Sequence, residues 1–182
     1  PKANEAIIEV HYTALNRADL SQRAGKYPPP PGESEILGLE LSGIIRSLPK
    51  NTKSWKVGDE TCALLSGGGY GEFAAVPMDM LMPVPKNWTL QEAAGLPEVF
   101  FTAFLNLFLE ARLQPGEKVL IHGGASGVGT AAIQLAREAG CEIFVTVGSE
   151  DKAAFCKSLG AHYVINYKTQ DFAKVIRDSS QG

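Results

Sequence analysis

A glycine-rich turn between an apolar strand and a helix constrains the fold of this chain more than any other stretch. Residues 118–122, KVLIH, have the length and composition of a short buried strand, and GGASGVG follows them at residues 123–129. Residues 130–140, TAAIQLAREAG, then place apolar side chains at helical spacing and end at Gly140. A strand, a glycine-rich turn and a helix in this order predict the first unit of a parallel sheet that binds a dinucleotide.

The turn fits the dinucleotide motif in two registers. One uses Gly124, Ser126 and Gly129, with the middle glycine replaced by serine. The other uses Gly127, Gly129 and Ala132, with alanine in the third place. In both registers a glycine lets the backbone approach a pyrophosphate, and the helix, which we predict to begin near Gly129, directs its first amides at it. The turn alone is weak evidence, and the flanking strand and helix make a nucleotide site the favoured interpretation over simple turn chemistry.

The chain divides into two parts by its sequence pattern. Residues 5–85 alternate short β-type runs with proline and glycine turns, which is typical of an antiparallel, barrel-like module. Later residues alternate helices and strands, with further strands predicted at residues 142–147 and 162–167. We therefore expect an α/β protein with a β-barrel domain at residues 1–97 and a parallel-sheet nucleotide-binding domain at residues 98–182.

A long apolar run joins the two parts. Residues 89–113 have helical spacing, and Thr89 is a residue type that caps the start of a helix. Pro97 predicts a kink or a break inside the run because proline removes a helical hydrogen bond. A second helix is predicted between the later strands, at residues 149–160.

The end of the second parallel strand decides between NAD and NADP. An acidic residue there binds the ribose hydroxyls, whereas hydroxyl and cationic groups accommodate a 2′-phosphate. Glu150 and Asp151 have the spacing for the ribose role, but they fall in the first turn of the next helix, where the helix dipole alone accounts for a carboxylate. The alternative is that Ser149 only caps that helix and Lys152 is a solvated surface residue. We expect NADPH, with its phosphate end near Gly148, Ser149, Lys152 and Tyr167.

Composition excludes several classes of partner. The formal charge is −3 over 182 residues, and no basic stripe is visible, so neither nucleic acid nor an acidic membrane surface is an expected partner. No apolar run approaches the roughly 20 residues that span a bilayer. The odd number of cysteines and their wide spacing argue against a disulfide framework and favour a cytoplasmic protein. These cysteines are Cys62, Cys141 and Cys156.

Four blocks of the sequence resemble a known family. The chain contains, in order, ALNRADLSQRAGKYPPPPGESEILGLELSG, LPEVFFTAF, HGGASGVGTAAIQLAREAG and GSEDKAAFCKSLGA. In these blocks it is similar to the medium-chain dehydrogenase/reductases, and within them to the zinc-free quinone oxidoreductases that include zeta-crystallin. The resemblance covers essentially all of the chain. It implies a GroES-like catalytic domain followed by a Rossmann domain.

The resemblance also implies a site without metal. In the zinc-dependent relatives a Cys, a His in a Gly-His-Glu run and a later Cys or similar residue hold the metal, and the matching positions here are Asn16, Leu39 and Glu98. Asparagine and leucine side chains are not zinc ligands. The chain also lacks the close cysteine cluster of the family's structural zinc. The three histidines, which do not cluster in the sequence, are His11, His122 and His162.

The resemblance assigns roles to individual residues. Asn16 and Thr102 would lie beside the nicotinamide, and Tyr27 would lie beside the acceptor as a proton donor or a stacking wall. The alternatives are structural: Asn16 in a turn, Tyr27 packed on the following prolines, and Thr102 capping its helix or bonded back within it. The predicted catalytic residues are Asn16 and Tyr27. The predicted cofactor-binding residues are Asn16, Thr102, Gly124, Ser126, Gly127, Val128, Gly129, Gly148, Ser149, Lys152 and Tyr167.

Three functions fit these observations. The first is an NADPH-dependent quinone reductase, because a site without a Lewis acid favours an electron-poor conjugated acceptor over alcohol oxidation. The second is an NADPH-dependent reductase of enones or enoyl thioesters. The third is a nucleotide-binding protein with little catalysis, such as a lens component or an RNA binder.

The loop with Tyr70 and Glu72, which varies among related enzymes, would border the acceptor cleft.

The number of parallel strands predicts an incomplete enzyme. The sequence provides three candidates, whereas a complete dinucleotide-binding fold has about six in two halves. We expect the chain to contain the adenosine half of that domain. The resemblance implies a catalytic domain that lacks its N-terminal strand and its C-terminal return. The full-length protein is expected to be a homodimer.

Overall fold

The computed structural model describes residues 1–180, which form two compact units divided between Glu98 and Val99. The first unit is built on an antiparallel sheet and the second on a parallel sheet. This arrangement confirms the predicted α/β fold class and its order along the chain. No helix within residues 1–180 has both the length and the apolar character needed to cross a membrane.

Five antiparallel strands form the sheet of the first unit. They are β1 (Glu5–Tyr12), β2 (Glu40–Ser47), β3 (Glu60–Leu64), β4 (Phe73–Pro77) and β5 (Leu81–Pro83). Their order in the sheet is β4–β1–β2–β3–β5. Ile8 shows how the sheet forms its core: it pairs with Ile45 on β2 and with Ala74 on β4, and all three side chains are buried. Alternate residues of the strands thus cover one apolar core.

Short helices complete the first unit. They are α1 (Arg17–Arg23) and α2 (Leu90–Ala93), with a single 3₁₀ turn at Met78–Met80. Thr89 caps α2 as predicted: its hydroxyl accepts from the N–H of Glu92 at 3.2 Å, and the Glu92 carboxylate accepts from the N–H of Thr89 at 2.7 Å. The predicted break at Pro97 is confirmed, because a new helix, α3 (Pro97–Phe104), begins at that residue.

The run after α3 is a π-helix, Leu105–Glu110, where the sequence pattern predicted continuous α-helix. The side-chain amide of Asn106 donates to the carbonyl oxygen of Thr102 at 2.8 Å. In an α-helix that carbonyl receives the backbone N–H of residue 106. A side chain that competes for a helical carbonyl is one cause of local distortion, and it offers a physical reason for the widened turn.

Three parallel strands form the sheet of the second unit. They are β6 (Lys118–Ile121), β7 (Glu142–Val147) and β8 (Tyr163–Asn166), in the order β6–β7–β8. Helices α4 (Gly127–Glu138) and α5 (Glu150–Leu159) connect them, which confirms the predicted alternation. A further helix, α6 (Phe172–Ser180), follows β8 and was not predicted. Parallel strands with helical connections place their carboxyl ends at one edge of the sheet, where ligands bind in such folds.

Candidate functional site

The glycine-rich turn is closed by a serine cap. Helix α4 begins at Gly127, two residues earlier than the predicted start near Gly129. Ser126 has an extended backbone, and its hydroxyl accepts from the N–H of Gly129 at 3.0 Å. The serine that replaces a glycine of the usual motif therefore caps the helix, which is the reason that the helix starts earlier.

Two glycines of the turn have no space for a side chain. A Cβ placed on Gly124 would lie 2.8 Å from the Cβ of Val145, and one placed on Gly129 would lie 2.5 Å from the carbonyl oxygen of Gly123. A Cβ on Gly127 would meet only a side-chain methyl of Val99, at 3.0 Å. The turn is therefore packed most tightly at Gly124 and Gly129. This geometry favours the register Gly124, Ser126 and Gly129 over the register that begins at Gly127.

Thr146 on β7 holds the turn in place. Its carbonyl oxygen accepts from the N–H of Gly124 at 3.0 Å, and its hydroxyl accepts from the N–H of Gly123 at 3.2 Å. The hydroxyl lies 3.1 Å from Nδ1 of His122, to which it can donate its own hydrogen. Thr146 is buried, and the sequence analysis did not single it out. The turn is thus fixed from the neighbouring strand by one residue.

Two backbone amides at the start of α4 are open. The first four N–H groups of a helix have no helical partner. Here the N–H of Gly129 is satisfied by Ser126, and that of Thr130 by the carbonyl oxygen of the same serine at 2.8 Å. Within residues 1–180, the N–H groups of Gly127 and Val128 donate to no protein acceptor. Open amides at a helix N-terminus, beside the carboxyl end of a parallel strand, fit a phosphate group.

A tyrosine ring covers Gly148, which directly follows β7. A Cβ placed on Gly148 would lie 2.6 Å from the hydroxyl oxygen of Tyr167 and 3.0 Å from its Cζ. The backbone N–H of Tyr167 also donates to the carbonyl oxygen of Val147 at 3.1 Å. The phenol of Tyr167 is therefore held at the carboxyl end of β7 while half of its surface stays exposed. The predicted residues Gly148 and Tyr167 are brought together.

The two acidic residues that compete for the ribose role begin α5. The Glu150 carboxylate accepts from the side-chain amide of Asn166 at 3.0 Å, so it already links α5 to the end of β8. Asp151 is exposed in the same turn. Ser149 occupies the cap position, but its hydroxyl makes no capping hydrogen bond. Lys152 is exposed on the first turn of α5, and no carboxylate within residues 1–180 forms an ion pair with it. The hydroxyl and the ammonium both remain available to a ligand.

In the first unit, Asn16 is bound to a buried carboxylate. Its side-chain amide donates to Oε1 of Glu40 at 2.7 Å, and the N–H of Glu98 donates to Oε2 at 2.9 Å. Glu40 is almost fully buried, and this burial raises its pKa above the ordinary value even though both donors act to lower it. Two of the three positions that correspond to zinc ligands in the zinc-dependent relatives, Asn16 and Glu98, therefore meet through Glu40. The third is Leu39.

A second buried carboxylate, Asp19, ties the same region together. It accepts from the N–H of Asn16 at 2.7 Å, from the N–H of Gly38 at 3.2 Å and from the hydroxyl of Tyr70 at 2.9 Å. Burial, followed by the hydrogen bond and the charge of Asp19, raises the pKa of Tyr70 to about 12. One acid thus connects α1 with two loops that are distant in the sequence.

A pocket of about 340 Å³ lies beside Asn16 in this unit. Three leucines and the Tyr70 ring contribute to its wall, and two arginines also line it. Tyr27 is not among its lining residues and has half of its side chain exposed, so the structure does not bring the predicted catalytic pair together here. Tyr70 is the tyrosine beside Asn16; the sequence placed it in a loop bordering the acceptor cleft but assigned it no role. The lining residues are Leu15, Asn16, Arg17, Asp19, Leu20, Arg23, Leu37 and Tyr70.

Thr102 lies on α3 and is half-buried. Its carbonyl oxygen takes the side-chain amide of Asn106, whereas its hydroxyl has no hydrogen-bond partner within residues 1–180. The hydroxyl therefore makes neither the cap nor the bond back to its own helix that the structural alternative offered. Its predicted role beside the nicotinamide stays a prediction.

The side chains that bind metals are dispersed. Within residues 1–180 no three His, Cys, Asp or Glu side chains are grouped so that they could hold a metal ion. Leu39 is buried. The three cysteines are free and buried. Burial raises the pKa of each thiol, that of Cys62 to about 11.

Comparisons with known proteins agree with both units. The alcohol dehydrogenase GroES-like domain matches residues 2–86, and the zinc-binding dehydrogenase domain matches residues 127–182. The quinone oxidoreductase of Mus musculus is 34% identical over 180 residues, which are 98% of this chain and 54% of that protein. The chain spans about half the length of the curated relatives it matches.

Solved structures resemble the chain over its whole length. The CurK enoyl reductase has a TM-score of 0.90 and 37% identity, covering 100% of this chain and 57% of that one. The Escherichia coli quinone oxidoreductase complexed with NADPH has a TM-score of 0.87 and 29% identity, covering 99% of this chain and 55% of that one. Both of these structures therefore share the fold described above.

Proposed function

The chain belongs to the medium-chain dehydrogenase/reductase superfamily and to its quinone oxidoreductase family, and on this premise we propose that the protein is an NADPH-dependent quinone reductase. The observation that carries the proposal is the pair of open amides at Gly127 and Val128, beside the carboxyl end of β6. They offer a binding site for the pyrophosphate of a dinucleotide. The quinone oxidoreductase relatives support a quinone as the acceptor.

The phosphate end of the cofactor supports NADPH over NADH. Both acids lie in the first turn of α5, where the helix dipole accounts for a carboxylate, and one oxygen of Glu150 already accepts from Asn166. The hydroxyls of Ser149 and Tyr167 and the ammonium of Lys152 are free to contact a 2′-phosphate. The structural relative from Escherichia coli is described as an NADPH complex, which agrees with this choice.

The residues of the chain have separate tasks in this mechanism. When bound, NADPH supplies the hydride that reduces the acceptor. The amides of Gly127 and Val128 bind the pyrophosphate, and Thr146 keeps the turn that presents them in one conformation. The amide nitrogen of Asn16 is held by Glu40, which fixes the orientation of the Asn16 side chain. Proximity of the two reactants in a site with little water provides most of the rate in such a reaction.

Reduction of an enone or an enoyl thioester is the second candidate. The CurK enoyl reductase resembles this chain at 37% identity, which is the specific observation in its favour. Such a reaction needs a proton at the carbon next to the carbonyl group, so it needs a positioned acid. Tyr70 is poorly suited to that role because its hydroxyl already donates to Asp19 and its pKa is raised to about 12. Tyr27 is the predicted alternative donor.

A matrix of cofactors and acceptors tests the proposal. The purified protein is assayed with NADPH and NADH, each with 1,4-naphthoquinone, with trans-2-hexenal and with a crotonyl thioester. We expect the highest kcat/KM for NADPH with the quinone. Faster turnover of the hexenal or the thioester would assign the second candidate instead. NADPH binding without turnover of any acceptor would favour a nucleotide-binding protein with little catalysis.

A further inference from the structure

We propose that the pocket beside Asn16 takes an acceptor that has an apolar body and an anionic group, and that Arg17 and Arg23 bind the anionic group. The inference rests on the proposed function, because it specifies the class of acceptor for the same site. It concerns the first unit alone, which contains every residue that lines the pocket.

The walls of the pocket determine the apolar part of the ligand. Leu15, Leu20 and Leu37 line it together with the ring of Tyr70. Leu15 is 86% exposed and Leu20 is 50% exposed, so both present apolar surface to solvent at the pocket. A planar conjugated ligand would cover these leucines and remove apolar surface from water. The volume of about 340 Å³ suits a molecule of one or two rings.

The two arginines give the pocket its positive charge. Both lie on α1 and are exposed, and neither forms an ion pair with a carboxylate within residues 1–180. Two of the other four arginines form such pairs: Arg46 with Glu9, and Arg137 with Glu138. The guanidinium groups at the pocket therefore keep their hydrogen-bond donors available for a ligand.

Asp19, the acidic residue nearest in the sequence to Arg17 and Arg23, does not neutralise either arginine by contact. Asp19 also lines the pocket and lies between the arginines on the same helix, but it is buried. Its two oxygens accept from the N–H of Asn16, the N–H of Gly38 and the hydroxyl of Tyr70. Those three donors hold it in the wall of the pocket, whereas the arginines are exposed to solvent and to ligands.

The chemistry of guanidinium defines the anionic group. Arginine presents planar pairs of N–H donors that match carboxylate, sulfonate and phosphate oxygens. The ligand class is therefore a conjugated carbonyl compound that carries one of these groups. A carboxylate on the acceptor and a phosphate on a longer thioester would both satisfy the arginines, and the experiment below separates them.

A matched pair of quinones tests the inference in the protein with NADPH. The kcat/KM is measured for 1,4-naphthoquinone-2-sulfonate and for unsubstituted 1,4-naphthoquinone, in the wild type, in the double variant R17Q/R23Q and in R177Q. The ratio of the sulfonated to the unsubstituted quinone is expected to fall at least about tenfold in the double variant, because charge-assisted hydrogen bonds are lost. Arg177 lies on α6, outside the pocket, so R177Q is expected to keep the wild-type ratio. An unchanged ratio in the double variant would overturn the inference.

Binding without turnover separates this inference from the proposed function. Naphthalene-2-sulfonate, 2-naphthoate and 2-naphthyl phosphate are titrated calorimetrically into the protein without cofactor. We expect each to bind the wild type at least about tenfold more tightly than R17Q/R23Q, and the tightest of the three identifies the preferred group. If no quinone is reduced but this difference persists, the proposed function fails and the anion site stands. If quinones are reduced but the difference is absent, the anion site fails alone.

Discussion

The hydroxyl of Tyr70 donates a 2.9 Å hydrogen bond to the buried carboxylate of Asp19, across 51 positions of the sequence. The same carboxylate accepts from the backbone N–H of Asn16. The pocket wall is therefore fixed by a hydrogen-bonded acid rather than by apolar packing alone. Since removal of one partner leaves a buried acceptor less satisfied, the pair affects both stability and the ionisation of the tyrosine.

The ionisation of Tyr70 gives the first prediction. Burial and Asp19 raise its pKa to about 12, so its contribution to stability is fully present below the ordinary tyrosine value near pH 10 and is lost as the pH rises towards 12. Absorbance at 295 nm should show a late ionisation step among the five tyrosines, and Tyr70→Phe should remove it. The same variant should lower the free energy of unfolding by about 1 kcal/mol. Tyr27→Phe is the control, and persistence of the late step in Tyr70→Phe would refute the assignment.

Glu40 gives a prediction for the pH dependence of stability. Burial raises its pKa, so its contribution to stability is fully present below the unfolded value near pH 4.5 and is lost as the pH rises through the folded value. Glu40→Gln cannot ionise and should remove this part of the pH dependence above the unfolded value near pH 4.5, measured by urea unfolding. In Glu40→Gln the new side-chain NH2 group faces either the Asn16 amide or the N–H of Glu98, and both of these are donors. This mismatch should lower the free energy of unfolding by about 1–3 kcal/mol.

The control for Glu40 is Glu60→Gln, at an exposed position of β3. It should change the free energy of unfolding by less than about 0.5 kcal/mol. The pKa of Glu98 is also raised by burial, so part of the same pH dependence remains in Glu40→Gln. An unaltered slope of stability against pH in Glu40→Gln would show that the carboxyl is ionised as easily as in water.

Lys152 tests the choice of cofactor. If its ammonium contacts the 2′-phosphate, Lys152→Glu should weaken NADPH binding more than tenfold and leave NADH binding nearly unchanged. Lys157→Glu is the matched control, because it makes the same charge change on the last turn of the same helix. Dissociation constants from cofactor fluorescence measure the effect. Equal weakening of both cofactors in Lys152→Glu would assign the lysine a structural role.

The contact between Gly148 and Tyr167 predicts energetic coupling. A methyl group at position 148 would fall 2.6 Å from the phenol oxygen, so Gly148→Ala must displace the ring. Because that ring is half-exposed and can move, we expect a modest loss of stability in the single variant. In the double variant Gly148→Ala/Tyr167→Ala the clash disappears, and the coupling energy should be about 0.5–3 kcal/mol by urea unfolding. Additive effects would mean that the two groups do not touch.

The thiols give a prediction about metal and reactivity. Because burial raises the pKa of all three cysteines, thiolates are scarce at neutral pH. The native protein should react slowly with a disulfide reagent at pH 8, and the unfolded protein should release three equivalents of the reagent's thiol quickly.

Metal analysis after dialysis should give less than stoichiometric zinc. Stoichiometric zinc that survives a chelator would contradict the metal-free site.

The sequence was sufficient for features whose cause is local. The strand at residues 118–121, the serine-bearing turn and the helix after it follow from periodicity and glycine placement, and the break at Pro97 follows from the missing N–H of proline. The start of α4 was misplaced because Ser126 was considered as a missing glycine and not as a cap. Helix α6 had a comparable signal in Asp171, whose carboxylate accepts from the N–H groups of Ala173 and Lys174.

Features that depend on distant residues could not be predicted. Asp19 accepts from residues 38 and 70, and no local pattern shows that three segments will meet at one buried acid. The side-chain amide of Asn106 donates to the carbonyl oxygen of Thr102, and Leu105–Glu110 form a π-helix although their sequence pattern predicts an α-helix. Thr146 is an ordinary residue type for a strand, and only the fold places its hydroxyl against the glycine-rich turn. Tertiary contacts decided each of these cases.

The ring of Tyr167 over Gly148 also restricts how this sequence can diverge. A lineage that first acquires any side chain at position 148 meets the phenol, and one that first shortens residue 167 loses a group expected to contact the cofactor. Each single step carries a cost that the second step relieves or makes irrelevant. We therefore expect the two positions to covary among relatives, with a small residue at one accompanying a large residue at the other. A change in coenzyme preference at this end of the sheet should then require a pair of substitutions.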